Sequence, residues 1–212
     1  MTKPLRALAV LALLMLGACQ LPGAGDPPQL YALTPKSTFE DNLPTVKWQL
    51  IVETPVAAAG LNTSRIALQR TPTSLDYFAR SNWTDLAPLM VQTLLIESFD
   101  NTGKIVAVSR ESTLLRADYL LKTELREFQA EYNGEAPPTV RVRMNAKLVR
   151  ISDRSIIASH TVERTAPAEK SDIANIILAY DEALGKVLRR IVEWALVAPG
   201  SPERPQPPRL GS

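Results

Sequence analysis

The sequence predicts a single α+β (mixed α/β) domain, an antiparallel-rich sheet packed by two helices. Three observations predict it. Val140, Val142, Met144, Ala146 and Leu148 alternate with Arg141, Arg143, Asn145 and Lys147, the period of a strand with one apolar face. Residues 156–163 follow a Ser152-Asp153-Arg154 turn and return as the antiparallel neighbour, which Pro167 ends. Ile173, Ile176, Ile177, Tyr180, Leu184, Val187, Leu188 and Ile191 then recur at three- and four-residue steps, closing on Trp194 or Ala195. Glu182, Lys186, Arg189, Arg190 and Glu193 cover much of the opposite side. Such a helix, capped by Ser171 or Asp172 and reaching about Leu196, lays its apolar stripe across a sheet.

The remaining elements follow in chain order. Lys3 and Arg6 precede an apolar run at 7–16, followed by Leu16-Gly17-Ala18-Cys19. The run is too short to span a bilayer, which needs roughly 20 residues. Its charged start and small-residue exit are those of a signal peptide, here residues 1–18, ending in a lipobox. Cys19 is the only cysteine. Its thiol would receive diacylglycerol, and the amine freed by cleavage an acyl chain such as palmitate. Gln20, not Asp, follows it, which resembles the sorting rule for the outer membrane. Residues 19–29, rich in proline and glycine, read as a tether.

The folded body is expected over 30–197. Residues 30–33 and 46–52 are rich in β-formers and stop at Pro35 and Pro55. Residues 57–62 read as a loop. Residues 65–70 and 75–80, joined by Thr71-Pro72-Thr73-Ser74, read as a hairpin. Thr84 or Asp85 caps a helix to about Phe99, with Leu86, Leu89, Met90 and Leu94 on its apolar side. Pro88 sits in the first turn, where its missing N–H costs little, and Gly103 closes the end. Residues 105–108 form a short strand. Tyr119, Leu121, Thr123 and Leu125 share one parity, whereas Phe128, Ala130 and Tyr132 share the other. A bulge near Arg126 or Glu127, or a break into two strands, restores one apolar face. Residues 198–212 form a proline-rich tail expected to be disordered and extended.

The composition narrows the chemistry. The formal charge is +2, and loss of Lys3 and Arg6 with the signal leaves it near balance. No basic stripe suggests nucleic acid. There is no Gly-x-Ser-x-Gly elbow or glycine-rich phosphate loop. His160 is the only histidine, and zinc would need more ligands than the chain supplies. Asp76, Asp85, Asp118 and Glu124 are scattered singly and would matter to a hydrolase only if the fold paired them. No catalytic residue, metal ligand or cofactor site is expected. Tyr31, Trp48, Tyr77, Trp83, Tyr119 and Trp194 read chiefly as core. The face carrying Arg141, Arg143 and Lys147 is solvated, or meets an acidic partner or phospholipid headgroups.

Several segments together carry a family likeness: Tyr31-Ala32-Leu33, Ile51-Val52-Glu53-Thr54-Pro55 and Leu61-Asn62-Thr63-Ser64-Arg65-Ile66-Ala67. Leu75-Asp76-Tyr77-Phe78-Ala79 before Trp83, then Asp118-Tyr119-Leu120-Leu121, 140–148 and the helix closing on Trp194 continue it. In this order, behind a lipobox, they resemble the ABC-type transport auxiliary lipoprotein family, the PqiC-like group associated with MCE lipid transport systems. The resemblance implies a non-catalytic outer-membrane lipoprotein facing the periplasm. Its expected partner is the periplasm-spanning MCE-domain protein of an ABC lipid transporter, with homo-oligomerisation and phospholipid contact as further possibilities. A lone periplasmic lipid- or ligand-binding lipoprotein, or a pilotin-like envelope assembly factor, is the alternative.

The lipobox makes one clear prediction. Cys19→Ser is expected to leave an uncleaved, unacylated precursor, seen as an intact mass. Normal maturation of that variant would contradict the assignment.

Overall fold

The computed structural model describes residues 27–110, 116–132, 134 and 137–200. In chain order these form β1 (Gln29–Tyr31), β2 (Gln49–Val52), β3 (Val56–Ala57), β4 (Arg65–Gln69) and β5 (Asp76–Trp83). Next come α1 (Ala87–Thr102), β6 (Ala107–Ser109), β7 (Tyr119–Glu131), β8 (Thr139–Arg150), β9 (Ile156–Pro167) and α2 (Ile173–Val197). A 3-10 turn, Ala198–Gly200, ends the described chain. The expected signal peptide, Cys19 and most of the tether and tail lie outside the described residues.

β8 is the axis of the sheet. Its alternation buries Val140, Val142, Met144, Ala146 and Leu148 completely. It pairs antiparallel with β7 on one side and β9 on the other. The turn into β9 puts Arg154 in the left-handed region, φ 57°. Asp153 supports that turn by accepting from Ser155 N (3.0 Å) and from Arg150 Nη1 (3.1 Å).

β7 resolves its parity conflict with a bulge. Leu125 pairs with Met144 and Glu127 with Arg143, so Arg126 is the extra residue. Leu121, Thr123 and Leu125 before it and Phe128 and Ala130 after it therefore share one buried face.

The far edge of β7 is covered by three short parallel strands in succession. Leu50 pairs with Tyr119, Val56 with Glu124 and Leu68 with Ala130. β6 adds parallel to β2, β5 antiparallel to β4, and β1 parallel to β5. The nine-stranded sheet is thus open and mixed: its longest ladders are antiparallel and its short strands mostly parallel. β3, Val56–Ala57, overlaps the loop expected over 57–62 at Ala57. Two residues carry no period, and only the edge of β7 makes them a strand.

Both helices cover one face of the sheet. Asp172 caps α2 as expected, accepting from Asn175 N at 3.1 Å. The cap of α1 differs from expectation. It is Leu86, in extended geometry and without a side-chain cap, while Asp85 accepts from Leu86 N at 2.7 Å. Pro88 fixes the first turn instead, and Gly103 at φ 61° ends the helix.

The centre of the core is aromatic. Trp83, Phe128 and Tyr180 bring β5, β7 and α2 together, with ring centroids 5.0–5.5 Å apart. Tyr180 is fully buried, and its hydroxyl donates to Ala67 O of β4 at 2.6 Å. Burial pushes that phenol well above its usual range. The irregular stretch 32–48 then straps the two helices together. Thr34 N donates to Asp181 Oδ1 (2.6 Å), Lys36 N to Ser98 Oγ (2.9 Å) and Glu40 N to Glu193 Oε1 (3.2 Å). Leu33 and Leu43 anchor the strap in the core.

Two substitutions test this core. Tyr180→Phe leaves Ala67 O without its buried donor and is expected to cost about 1–3 kcal/mol. Trp83→Ala, which opens a cavity, is expected to cost about 3–5 kcal/mol. Urea unfolding measures both; a change below 0.5 kcal/mol for either would show that the ring cluster does not hold these elements.

Candidate functional site

The two faces of the sheet differ in what they leave available. On the helix-free face, Arg143 of β8 lies directly between Glu127 of β7 and Glu163 of β9. Its guanidinium reaches them at 3.4 and 3.8 Å. Arg141 pairs with Glu131 at 2.8 Å and with Glu163. Glu124 holds Arg126 (2.6 Å) and Lys147 (3.7 Å), and its hydrogen bond from Arg126 holds the carboxyl below its usual range. Such half-exposed pairs stabilise by only about 0–1 kcal/mol each. They do neutralise the face. The cations of this face, read in the sequence as solvated or as meeting an acidic partner or lipid headgroups, therefore already have carboxylates.

A groove at the free edge of β9 has a different character. It has a volume of about 680 Å³. One wall is residues 156–160 of β9, and the other is the last turns of α2 with Arg190, Glu193, Trp194 and Val197. The strap closes one end with Glu40, Asn42 and Leu43. Ile156 and Val197, 57% and 47% exposed, form apolar lips.

Inside the groove, His160 stacks on Trp194, with centroids 5.6 Å apart and planes at 25°. His160 sits opposite Ala146 in the ladder, which directs it to the helix-covered side. Burial, then the nearby Arg190 and Arg164 guanidiniums, hold its pKa below the ordinary imidazole range. Glu193 is buried yet satisfied, accepting from Arg189 Nε (2.7 Å) and Glu40 N (3.2 Å). Among the described residues, neither Arg190 nor Arg164 has a carboxylate within ion-pair distance; Arg164 Nη1 donates to Glu163 O at 2.7 Å.

The other sequence candidates are not brought together. Asp118 accepts from Gln49 N at 2.8 Å, Asp85 from Leu86 N, and Glu124 holds its two cations. Asp76 lies in β5 opposite Leu68. Among the described residues no three His, Cys, Asp or Glu side chains are grouped to hold a metal. Cys19 lies outside the described residues. Of the aromatic residues, Trp83 is fully buried, Trp48 and Tyr119 meet edge to face at 5.2 Å, and Trp194 is half-buried in the groove. The groove was missed in the sequence. His160 and Trp194 are far apart in the chain, and 32–48 has no period that places it against α2. No helix among the described residues is long and apolar enough to cross a membrane.

Comparison with known proteins places this architecture. The model of the family described as "ABC-type transport auxiliary lipoprotein component" matches residues 29–192. The crystal structure of protein XCC0632 from Xanthomonas campestris, of family model DUF330, is similar at 32% identity and a TM-score of 0.77. The match covers 81% of this chain and 97% of that one. An uncharacterized protein from Bradyrhizobium diazoefficiens is 28% identical over 187 residues, 87% of this chain. The chain spans half the length of that relative. The crystal structure of another uncharacterized protein shares the fold at 12% identity and a TM-score of 0.63, covering 79% of this chain and 97% of that one.

The His160 environment predicts a pH dependence. The folded state disfavours the imidazolium, so the unfolded chain binds the proton more readily. The His160 contribution to stability is full at neutral pH. It is lost as pH falls through the ordinary imidazole range toward the depressed folded value. Urea midpoints should therefore fall less between neutral and mildly acidic pH for His160→Phe than for the unaltered chain. Equal falls would contradict the depressed pKa.

Proposed function

The chain belongs to the ABC-type transport auxiliary lipoprotein component family, and from that premise we propose its place in the transport system. It is a non-catalytic lipoprotein of the outer membrane, tethered through Cys19, that docks a periplasm-spanning MCE-domain protein of an ABC lipid transporter. The observation that carries this reading is the family match across almost the whole folded body, residues 29–192, downstream of the Leu16-Gly17-Ala18-Cys19 motif.

Two or more acyl chains make membrane anchoring stable, whereas one alone gives marginal binding. Residues 20–28 supply chain between the anchor and the first strand, at no more than about 3.3–3.6 Å per residue. Beyond the tether stands a rigid sheet whose helix-free face is self-neutralised and whose β9 edge is open. That arrangement suits capture of a partner at the edge. Lipid cargo and homo-oligomerisation are not needed for it.

A second reading has one observation in its favour. A groove of about 680 Å³ falls within the range of small-ligand sites, as a lone ligand-binding lipoprotein would require. Its exposed lips and charged lining fit a peptide or protein surface better than an enclosed apolar ligand.

Crosslinking in intact membranes, with the native lipid attached, followed by purification of the lipoprotein, tests the docking. Recovery of an MCE-domain protein is the expected result. A lipoprotein that is acylated and correctly sorted yet recovers no MCE-domain protein would overturn it.

A further inference from the structure

The geometry points to the β9 groove as a strand-addition site that takes an extended, acid-bearing peptide segment of a partner protein. This rests on the docking reading and assigns it a surface. Three observations combine. First, among the described residues β9 pairs with β8 alone, so from Ala158 onward alternate N–H and C=O groups face away from the sheet, Ile157 being a bulge residue nearer its start. An uncovered edge of this length is a template for another strand. Second, five consecutive residues of that edge, 156–160, line the groove. A strand entering it would hydrogen-bond to β9 on one side. Alternate side chains would meet Trp194 and Val197 of α2 on the other.

Third, the groove holds one cation that no ion pair engages among the described residues. Arg190 lines it, is exposed, and has no carboxylate partner among the described residues. Arg164 lies farther along β9 on the same face as His160 and has none either. The carboxylates nearby are already engaged, Glu193 by Arg189 and the strap, Glu40 by Arg189 at 3.8 Å, and Glu163 by Arg141 and Arg143. An acidic side chain on the incoming strand supplies the missing partner, and its orientation fixes the register. The helix-free face offers no such imbalance.

The test is a display library of random nine-residue peptides selected on the immobilised full chain. Selected peptides are then synthesised for fluorescence polarisation. The expected peptides alternate β-branched or aromatic residues with polar ones and carry Asp or Glu. Their affinity should fall at least tenfold on Arg190→Glu and be abolished by N-methylating alternate peptide amides. It should be unchanged by Leu178→Asp, about 18 Å from Arg190 along α2 at about 1.5 Å per residue. Peptides without acidic residues, an undiminished affinity for Arg190→Glu, tolerance of N-methylation, or no enrichment would each overturn the inference. So would an Arg190-dependent change in oligomeric mass by light scattering, which would make the occupant a second copy. Arg190-dependent binding to phosphatidylglycerol vesicles, not to peptides, would make it a lipid. The MCE-protein crosslink is scored separately on the same variants. An MCE crosslink undiminished by Arg190→Glu leaves docking standing and removes the groove, whereas peptide binding without any MCE crosslink does the reverse.

Discussion

One extra residue in β7 sets the shape of this molecule. Without the bulge at Arg126, Leu121 and Leu125 would face the helices while Phe128 and Ala130 faced water. With it, the whole strand turns one apolar side into the helix-covered core. The aromatic centre depends on this shift, because Phe128 lies just beyond the bulge and meets Trp83 and Tyr180 only from the inner face. The charge ladder depends on it too. The same shift puts Glu127 opposite Arg143 and Glu131 beside Arg141 on the outer face.

Once β7 is straightened in this way, the rest of the chain has few choices. Residues 49–69 climb its free edge as three short parallel strands, each too brief to be stable alone. β8 and β9 extend the other side and leave an edge. α2, lying over β8 and β9, ends beside that edge, and the strap over 32–48 fixes the helix pair through Asp181, Ser98 and Glu193. The groove is the place where edge, helix end and strap converge. It is formed by elements held rigidly for other reasons, which suits a surface that must recognise a partner without rearranging.

The legible parts of the fold were those with a strong local period. The alternation at 140–148, the stripe from Ile173 to Trp194, the Asp172 cap and the parity switch in β7 were all readable. The illegible parts depend on distant neighbours. Val56 and Ala57 are a strand only because Glu124 and Leu125 lie beside them. The parallel pairing of β1 with β5 and of β2 with β6 has no sequence signature, since nothing local records which strand is adjacent. Arg141, Arg143 and Lys147 read as a free basic face because their carboxylates sit on other strands, at positions only the register reveals. The groove was hidden for the same reason. It joins a strand, a helix terminus and an aperiodic segment.

The proposed function joins a lipid at Cys19 to a folded body whose open sheet edge would meet a periplasmic partner. Electron cryo-microscopy of the lipidated chain with the proposed MCE-domain partner is the most direct measurement. The account predicts the lipoprotein at the outer-membrane end of the MCE assembly, with partner density continuing the sheet beside Ile156–Pro167. A complex that leaves this edge bare, or that holds the lipoprotein elsewhere on the assembly, would contradict it.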